Sequence, residues 1–154
     1  MAFLPGYRLQ KGTTLDRARL LEFAQRTYRE LYPERDFAHL AQTVEQYFSS
    51  QTPLWWVEID DPEVVGEPVA CLWLGNAVDQ LSGQRHAHIF LIYVAPDHRR
   101  KGIASTLVHY AERWARKRGD GQMGLQVFAE NSAAIALYEK LGYRPLSWWM
   151  IKPF

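Results

Sequence analysis

The chain has 154 residues, 47% of them hydrophobic and 23% charged, with a formal net charge of +1. That length suits one domain with one sizeable core, and Leu, Ile, Val and aromatic residues run through most of it, which excludes disorder throughout. No run approaches the ~18 apolar residues of a membrane-spanning helix. The first eleven residues lack the pattern of a secretory signal, and a single cysteine, Cys71, excludes an internal disulfide and any multi-cysteine metal site. The expectation is a soluble cytoplasmic protein with no membrane partner.

Tyr7 to Lys11 reads as a first strand. Thr13 or Thr14 offers a helix cap with Asp16 in the first turn; Leu21, Ala24, Tyr28 and Leu31 follow at helical spacing, and Pro33 ends the run. Phe37, Leu40, Val44, Tyr47 and Phe48 mark a second helix. Leu54 to Asp60, rich in Trp, Val and Ile, is a strand. Pro68 to Gly75 is its hairpin partner, and the polar stretch Asn76 to Gln84 is a loop. His86 to Val94 is a strand whose apolar end, Ile89 to Val94, marks it as central in its sheet.

Ile103, Leu107, Tyr110, Ala111 and Trp114 line one face of a helix from Gly102 to Arg118, stopped by Gly119 and Gly121. Leu125 to Phe128 is a short strand. Asn131-Ser132 caps a last helix with Leu137, Tyr138 and Leu141 inward, and Tyr143 to Lys152 is a final strand region. Helices thus flank a mainly β middle, which gives one α/β or α+β domain over residues 1–154. The tryptophans at Trp55-Trp56, Trp73 and Trp148-Trp149 belong either to packed strands or to a cleft for an apolar ligand.

Chemistry concentrates between Tyr93 and Ser105. A strand ends, Pro96 turns the chain, and a helix begins near Gly102 with small residues, Ala104 and Ser105, in its first turn. Unpaired N–H groups and the positive end of the helix dipole suit a phosphate there, and Arg99, Arg100 and Lys101 add charge. No Gly-Lys-Ser/Thr tripeptide makes it a Walker loop, and one glycine is too few for a dinucleotide fingerprint. The competing reading is a solvated basic turn.

Arg99, Gly102 and Ala104, preceded by Val94 and Pro96, resemble the acetyl-CoA-binding motif of the GNAT superfamily of N-acetyltransferases. Asn131 through Tyr138 to Leu141-Gly142-Tyr143 is similar to the family's second signature. The resemblance covers residues 89–143. It implies a central mixed, mostly antiparallel sheet of about six to seven strands with about four helices, its strands splayed at Val94 and Leu125 to admit the pantetheine arm. Ile92, Tyr93 and Val94 would touch the acetyl donor, with the Val94 N–H stabilising the developing oxyanion. Arg99, Arg100, Lys101, Gly102, Ile103, Ala104 and Ser105 would wrap the pyrophosphate, mainly through backbone N–H groups. Asn131 would contact the coenzyme arm, or serve only as a helix cap. Tyr138 would protonate the departing thiolate; on spacing alone it reads as a core aromatic.

The implied reaction is direct attack by an amine on acetyl-CoA in a ternary complex, so the amine needs a base or a water chain. His88, assigned by strand parity to the face of Phe90, Ile92 and Val94, competes with Glu58, Asp60 and Glu130. Cys71 reads as a core thiol, and the five histidines make no metal pattern. Residues 99–118 hold seven basic side chains against one acid in a near-neutral chain. A basic coenzyme side facing a more acidic remainder favours a cationic amine acceptor. The acceptor is a small molecule or a protein or peptide amine, its wall built from Tyr28, Tyr32, Phe37, Tyr47, Phe48 and the Trp148-Trp149 strand. A non-catalytic acyl-CoA-binding or sensing module is the alternative. The chain is expected as a monomer or homodimer, without nucleic acid.

Overall fold

A computed structural model describes residues 2–154. Strands β1 (Ala2–Leu4) and β2 (Tyr7–Lys11) lead into helices α1 (Arg17–Leu31) and α2 (Leu40–Tyr47). Strands β3 (Leu54–Ile59), β4 (Ala70–Val78) and β5 (Arg85–Val94) follow, then helix α3 (Ile103–Arg118), strand β6 (Met123–Leu125) and helix α4 (Ser132–Lys140). The six strands form one sheet in chain order, antiparallel except for the parallel pair β5–β6. A parallel neighbour needs a crossover, and α3 supplies it.

Local chemistry explains the element boundaries. Thr13 accepts from the Leu15 N–H, while Asp16 accepts from the Thr13 N–H and from the Trp56 indole, so the cap also pins α1 to the sheet. Leu20 and Phe23 are the fully buried residues of α1, and the expected Leu21 is only partly buried. α3 ends at Gly119, whose φ of +91° is open to glycine but strained for other residues.

The sheet divides the core in two. On one face Trp56, Cys71, Trp73, Leu91 and Tyr93 pack under α1 and α2. On the other Val57, Leu72, Leu74 and Ile89 meet Ile103, Leu107 and Val108 of α3 together with Tyr138 of α4. Trp55 packs edge-on against Tyr110 and Trp114, which places both of those helix residues inward.

Three expectations need correction. β4 runs on to Val78, because Asn76, Ala77 and Val78 pair with the polar start of β5; this part of the expected loop is strand. β6 is Met123–Leu125, and the chain leaves the sheet before Phe128. Residues 143–154 form no strand: residues 144–154 are all exposed and none forms a backbone bond to the sheet. β propensity alone does not hold a strand that lacks a hydrogen-bonded neighbour.

Candidate active site

β5 carries the site, and one irregularity organises it. Trp73 of β4 stands opposite Leu91 and the next residue, Leu74, opposite Ile89, so Phe90 is an extra, bulged residue. The Phe90 ring folds over Gly75, where a Cβ would lie 2.0 Å from it; only glycine leaves room. The bulge reverses the alternation of side chains. His88 and Phe90 lie on the α1/α2 face, Phe90 against Trp73 (5.1 Å between ring centres) and His88 against Phe90 (5.9 Å). Ile92 and Val94 lie on the α3 face. His88 therefore does not share a face with them.

Beyond the bulge β5 has only one hydrogen-bonded neighbour. β4 follows it to Val94, whereas β6 pairs only with Ala87, His88 and Ile89. The two parallel strands thus part after Ile89 and Leu125, which is the splay the motif implies. The Ala95 N–H donates to Val69 on the β4 side. In an antiparallel ladder successive residues alternate their polar groups between the two edges, so those of Val94 and Ile92 face the gap and those of Tyr93 face β4. The Tyr93 side chain leaves by the opposite face and its hydroxyl donates to Glu30 at 2.7 Å. Burial and that carboxylate push its pKa up to about 12.

The loop after β5 is strained in the manner of an anion cradle. Arg100 has φ +62° and Gly102 φ +84°, two left-handed residues that turn the chain just ahead of α3. Nothing lies within 4 Å of where a Gly102 Cβ would be, so the space above the loop is open. The Arg99 side chain is committed elsewhere: its Nε donates to the Val94 carbonyl at 2.8 Å and its terminal nitrogen to Glu30 at 2.6 Å. Arg99 thereby braces the loop, leaving backbone N–H groups, Arg100 and Lys101 for a phosphate. Glu30 is a residue that sequence reasoning missed, and no local spacing could have announced it.

On the other bank Asn131 caps α4, its side-chain oxygen accepting from the Ala134 N–H at 3.2 Å. Its amide nitrogen remains available. Tyr138 is buried against Tyr143 and the α3 cluster, and burial pushes its pKa up to about 12. It stays protonated across the neutral range. Its hydroxyl bonds no other described residue.

Among the candidate bases, His88 stands at the point where β6 leaves β5, opposite Gly124. Its Nδ1 is buried without a partner, and burial together with His86 holds its pKa below the usual 6.5. Glu58 is paired with Arg8 at 2.7 Å and, like Asp60, lies at the end of the sheet two strands from the gap. Glu130 lies beside the Tyr32 hydroxyl and raises its pKa.

Rings from both banks meet over the gap on the α1/α2 face. Phe128, just past β6, packs edge-on against Tyr28 (5.6 Å) and Tyr32 (5.5 Å), and Tyr28 against Phe37 (5.4 Å). Trp148 and Trp149 are each 86% exposed and contribute nothing to this wall. No group of three or more His, Cys, Asp or Glu among the described residues is arranged to hold a metal ion. No helix among them is long and apolar enough to cross a membrane.

Comparison with known proteins agrees with this geometry. The sequence profile of the acetyltransferase (GNAT) family matches residues 17–143. The chain is 43% identical over 56 residues to the uncharacterized N-acetyltransferase YobR of Bacillus subtilis (strain 168), a stretch covering 36% of this chain and 23% of that protein. It is 29% identical over 116 residues to the aminoglycoside N(6')-acetyltransferase type 1 of Acinetobacter genomosp. 13, covering 73% of this chain and 77% of that protein. The matched stretches span 23%, 36% and 57% of three curated relatives, YobR among them. A crystal structure of a GCN5-related N-acetyltransferase from Ralstonia eutropha JMP134 superposes with a TM-score of 0.73 at 21% identity, covering 97% of this chain and 99% of that one. The profile match extends over most of the sequence, and the chain belongs to the GNAT acetyltransferase family.

Proposed function

We propose that this chain transfers an acetyl group from acetyl-CoA to a primary amine while both substrates are bound. The observation that carries this reading is the unpaired edge of β5, where Ile92 offers its N–H and carbonyl and Val94 its N–H to a gap that leads to the Arg100–Gly102 loop. These residues fit the coenzyme. The gap accepts an extended amide-bearing arm as another strand would be accepted, and the loop N–H groups hold its pyrophosphate. When bound, acetyl-CoA supplies an acyl group activated as a thioester.

The residues around the gap divide the remaining work between the two faces of the sheet. The Val94 N–H donates to the acyl oxygen as negative charge develops on it. On the α3 face Tyr138 keeps its hydroxyl proton, because burial raises its pKa, and gives it to the departing sulfur. On the α1/α2 face His88 is neutral near pH 7 and receives the proton of the attacking amine through a chain of waters, since six strand residues separate it from Val94. Acid and base on opposite faces keep the incoming amine and the outgoing thiol from competing for one space.

The acceptor approaches from the α1/α2 side, past Tyr28, Tyr32 and Phe128, with the carboxylate of Glu130 beside them. Rings next to a carboxylate favour a cationic amine on a carrier with an apolar face. The likeness to an aminoglycoside acetyltransferase fits a small polycationic acceptor, and the likeness to a ribosomal protein bS18-alanine N-acetyltransferase fits a protein N-terminal amine.

The test is thiol release from acetyl-CoA with aminoglycosides, polyamines, amino acids and short peptides as acceptors. Release with one amine class establishes the transfer. Tight coenzyme binding with no release from any amine would replace the enzyme by an acyl-CoA sensor.

A further inference from the structure

We infer that Tyr143 is a positioning residue for the proposed acid: held to α3 by Glu112, it fixes where the Tyr138 hydroxyl stands relative to the coenzyme. The inference rests on the acetyl-transfer reading and on the role proposed there for Tyr138.

α4 is weakly anchored by its own sequence. It has nine residues, fewer than the roughly 12–15 at which an isolated helix becomes stable, and Tyr138 is its one buried residue among those described. The side chain that must present a proton is therefore also the one that seats its helix, and any slide or roll of α4 moves the hydroxyl with it. The end of the helix provides a second attachment. The Tyr143 N–H donates to the Tyr138 carbonyl at 2.9 Å and the Gly142 N–H to that of Glu139 at 3.0 Å, with Gly142 left-handed at φ +95°. In this closing turn the residue after the glycine folds back on the helix residue five before it. Here both residues are tyrosines, and their rings meet edge to face with 5.9 Å between centres.

A phenylalanine at position 143 would make that ring contact equally well. What the hydroxyl adds is a bond to α3, donated to Glu112 Oε2 at 2.7 Å. Only 17% of the Glu112 side chain is exposed, so water competes little for the bond. Burial and the carboxylate raise the Tyr143 pKa, so the hydroxyl keeps the proton it donates. His109 Nδ1 lies 3.4 Å from the other carboxylate oxygen, on the same helix. α3 starts directly after the Arg100–Gly102 loop, where the coenzyme phosphates are proposed to bind. Glu112 stands ten residues beyond Gly102, about 15 Å along that helix. Tyr138, Tyr143 and Glu112 thus tie the proton donor to the body that holds the coenzyme. Such a tie bears on rate, because a misplacement of about 1 Å at a reacting group costs about a hundredfold.

The experiment measures thiol release from acetyl-CoA with the fastest-reacting amine of the acceptor panel, and coenzyme affinity by calorimetry, with folding checked by circular dichroism. Tyr143→Phe keeps the ring and removes the bond to Glu112. It should lower kcat about tenfold, with the coenzyme dissociation constant and the acceptor KM within about twofold of the parent. Glu112→Ala and Glu112→Gln read the same bond from its other side. The first should match Tyr143→Phe, whereas the second still accepts from the hydroxyl and should keep kcat within about twofold. In the Tyr138→Phe background, Tyr143→Phe should lower kcat by less than about twofold more, because the acid it positions is gone. A role in holding the fold alone predicts the same fractional loss in both backgrounds, and that result overturns the inference. So does an unchanged kcat in Tyr143→Phe where Tyr138→Phe lowers it, a result that leaves the acid reading standing. An unchanged kcat in Tyr138→Phe overturns the acid reading, and no thiol release from the parent chain overturns acetyl transfer; the inference falls with either.

Discussion

Glu30 and Arg99, 69 residues apart in sequence, meet at 2.6 Å and tie the loop ahead of α3 to α1. The same carboxylate accepts from Tyr93, so three elements converge on one side chain. The Arg99–Glu30 pair is half exposed and contributes under about 1 kcal/mol to folding. Its effect is positional. Glu30→Gln should leave thermal stability nearly unchanged while raising the KM for acetyl-CoA by about three- to tenfold with a small change in kcat. Steady-state kinetics beside a melting curve check this; an unaltered KM would remove Arg99 as the brace.

Tyr138→Phe should reduce kcat by about a hundredfold while the coenzyme dissociation constant stays within about twofold. Calorimetry and turnover on the same preparation separate the two quantities. Full turnover in the variant would return Tyr138 to the role of a core aromatic, which its burial among the α3 cluster also serves.

His88 sets the expected pH dependence. Its pKa lies below 6.5 in the folded chain, so kcat/KM should hold steady near neutrality and fall as acid protonates it. His88→Gln should flatten that acid limb along with lowering the rate. Linkage gives the same sign for stability: the folded pKa is depressed, so the contribution is present above 6.5 and is lost as pH falls through the folded value. Urea midpoints measured through that range should fall more steeply for the parent chain than for His88→Gln.

Gly75 and Gly102 should fail for different reasons. Gly75→Ala drives a methyl into the Phe90 ring and is expected to cost about 2–3 kcal/mol, much of it recovered on adding Phe90→Ala. Gly102→Ala meets no neighbour, but the φ of +84° costs about 1–2 kcal/mol and moves the loop. Denaturation of the three single and double variants, with coenzyme affinity measured alongside, distinguishes the two; equal loss of affinity without loss of stability at Gly75 would contradict the steric account.

Local patterns carried most of the fold into view. The Thr13 cap, the apolar stripes of α1 and α3 and the core of β5 follow from residue spacing, and the Arg99–Ala104 frame pointed to the left-handed turn ahead of α3. Long-range features were out of reach. Glu30 belongs to an ordinary helical stretch, and nothing near it signals Arg99. Phe128 looked like a strand residue and instead closes a ring cluster with Tyr28 and Tyr32. The parity that put His88 with Ile92 and Val94 assumed an unbroken alternation. Gly75, a lone glycine near the centre of a buried strand, was the available sign that the neighbouring backbone or side chain comes unusually close. Trp148 and Trp149 read as a strand because their composition is that of one, whereas a strand also needs an edge.

The extra residue at Phe90 divides β5 into two half-strands in opposite phase. Up to Phe90 the even-numbered residues turn toward the α1/α2 face, and beyond it they turn toward the α3 face. Substitution at Phe90 therefore alters the α1/α2 face and substitution at Ile92 or Val94 the α3 face, while Ile89 before the bulge and Leu91 and Tyr93 after it do the reverse. Deleting Phe90 would erase that partition, swinging every side chain of one half through the sheet. Such a deletion should be far less tolerable than any substitution at the same place.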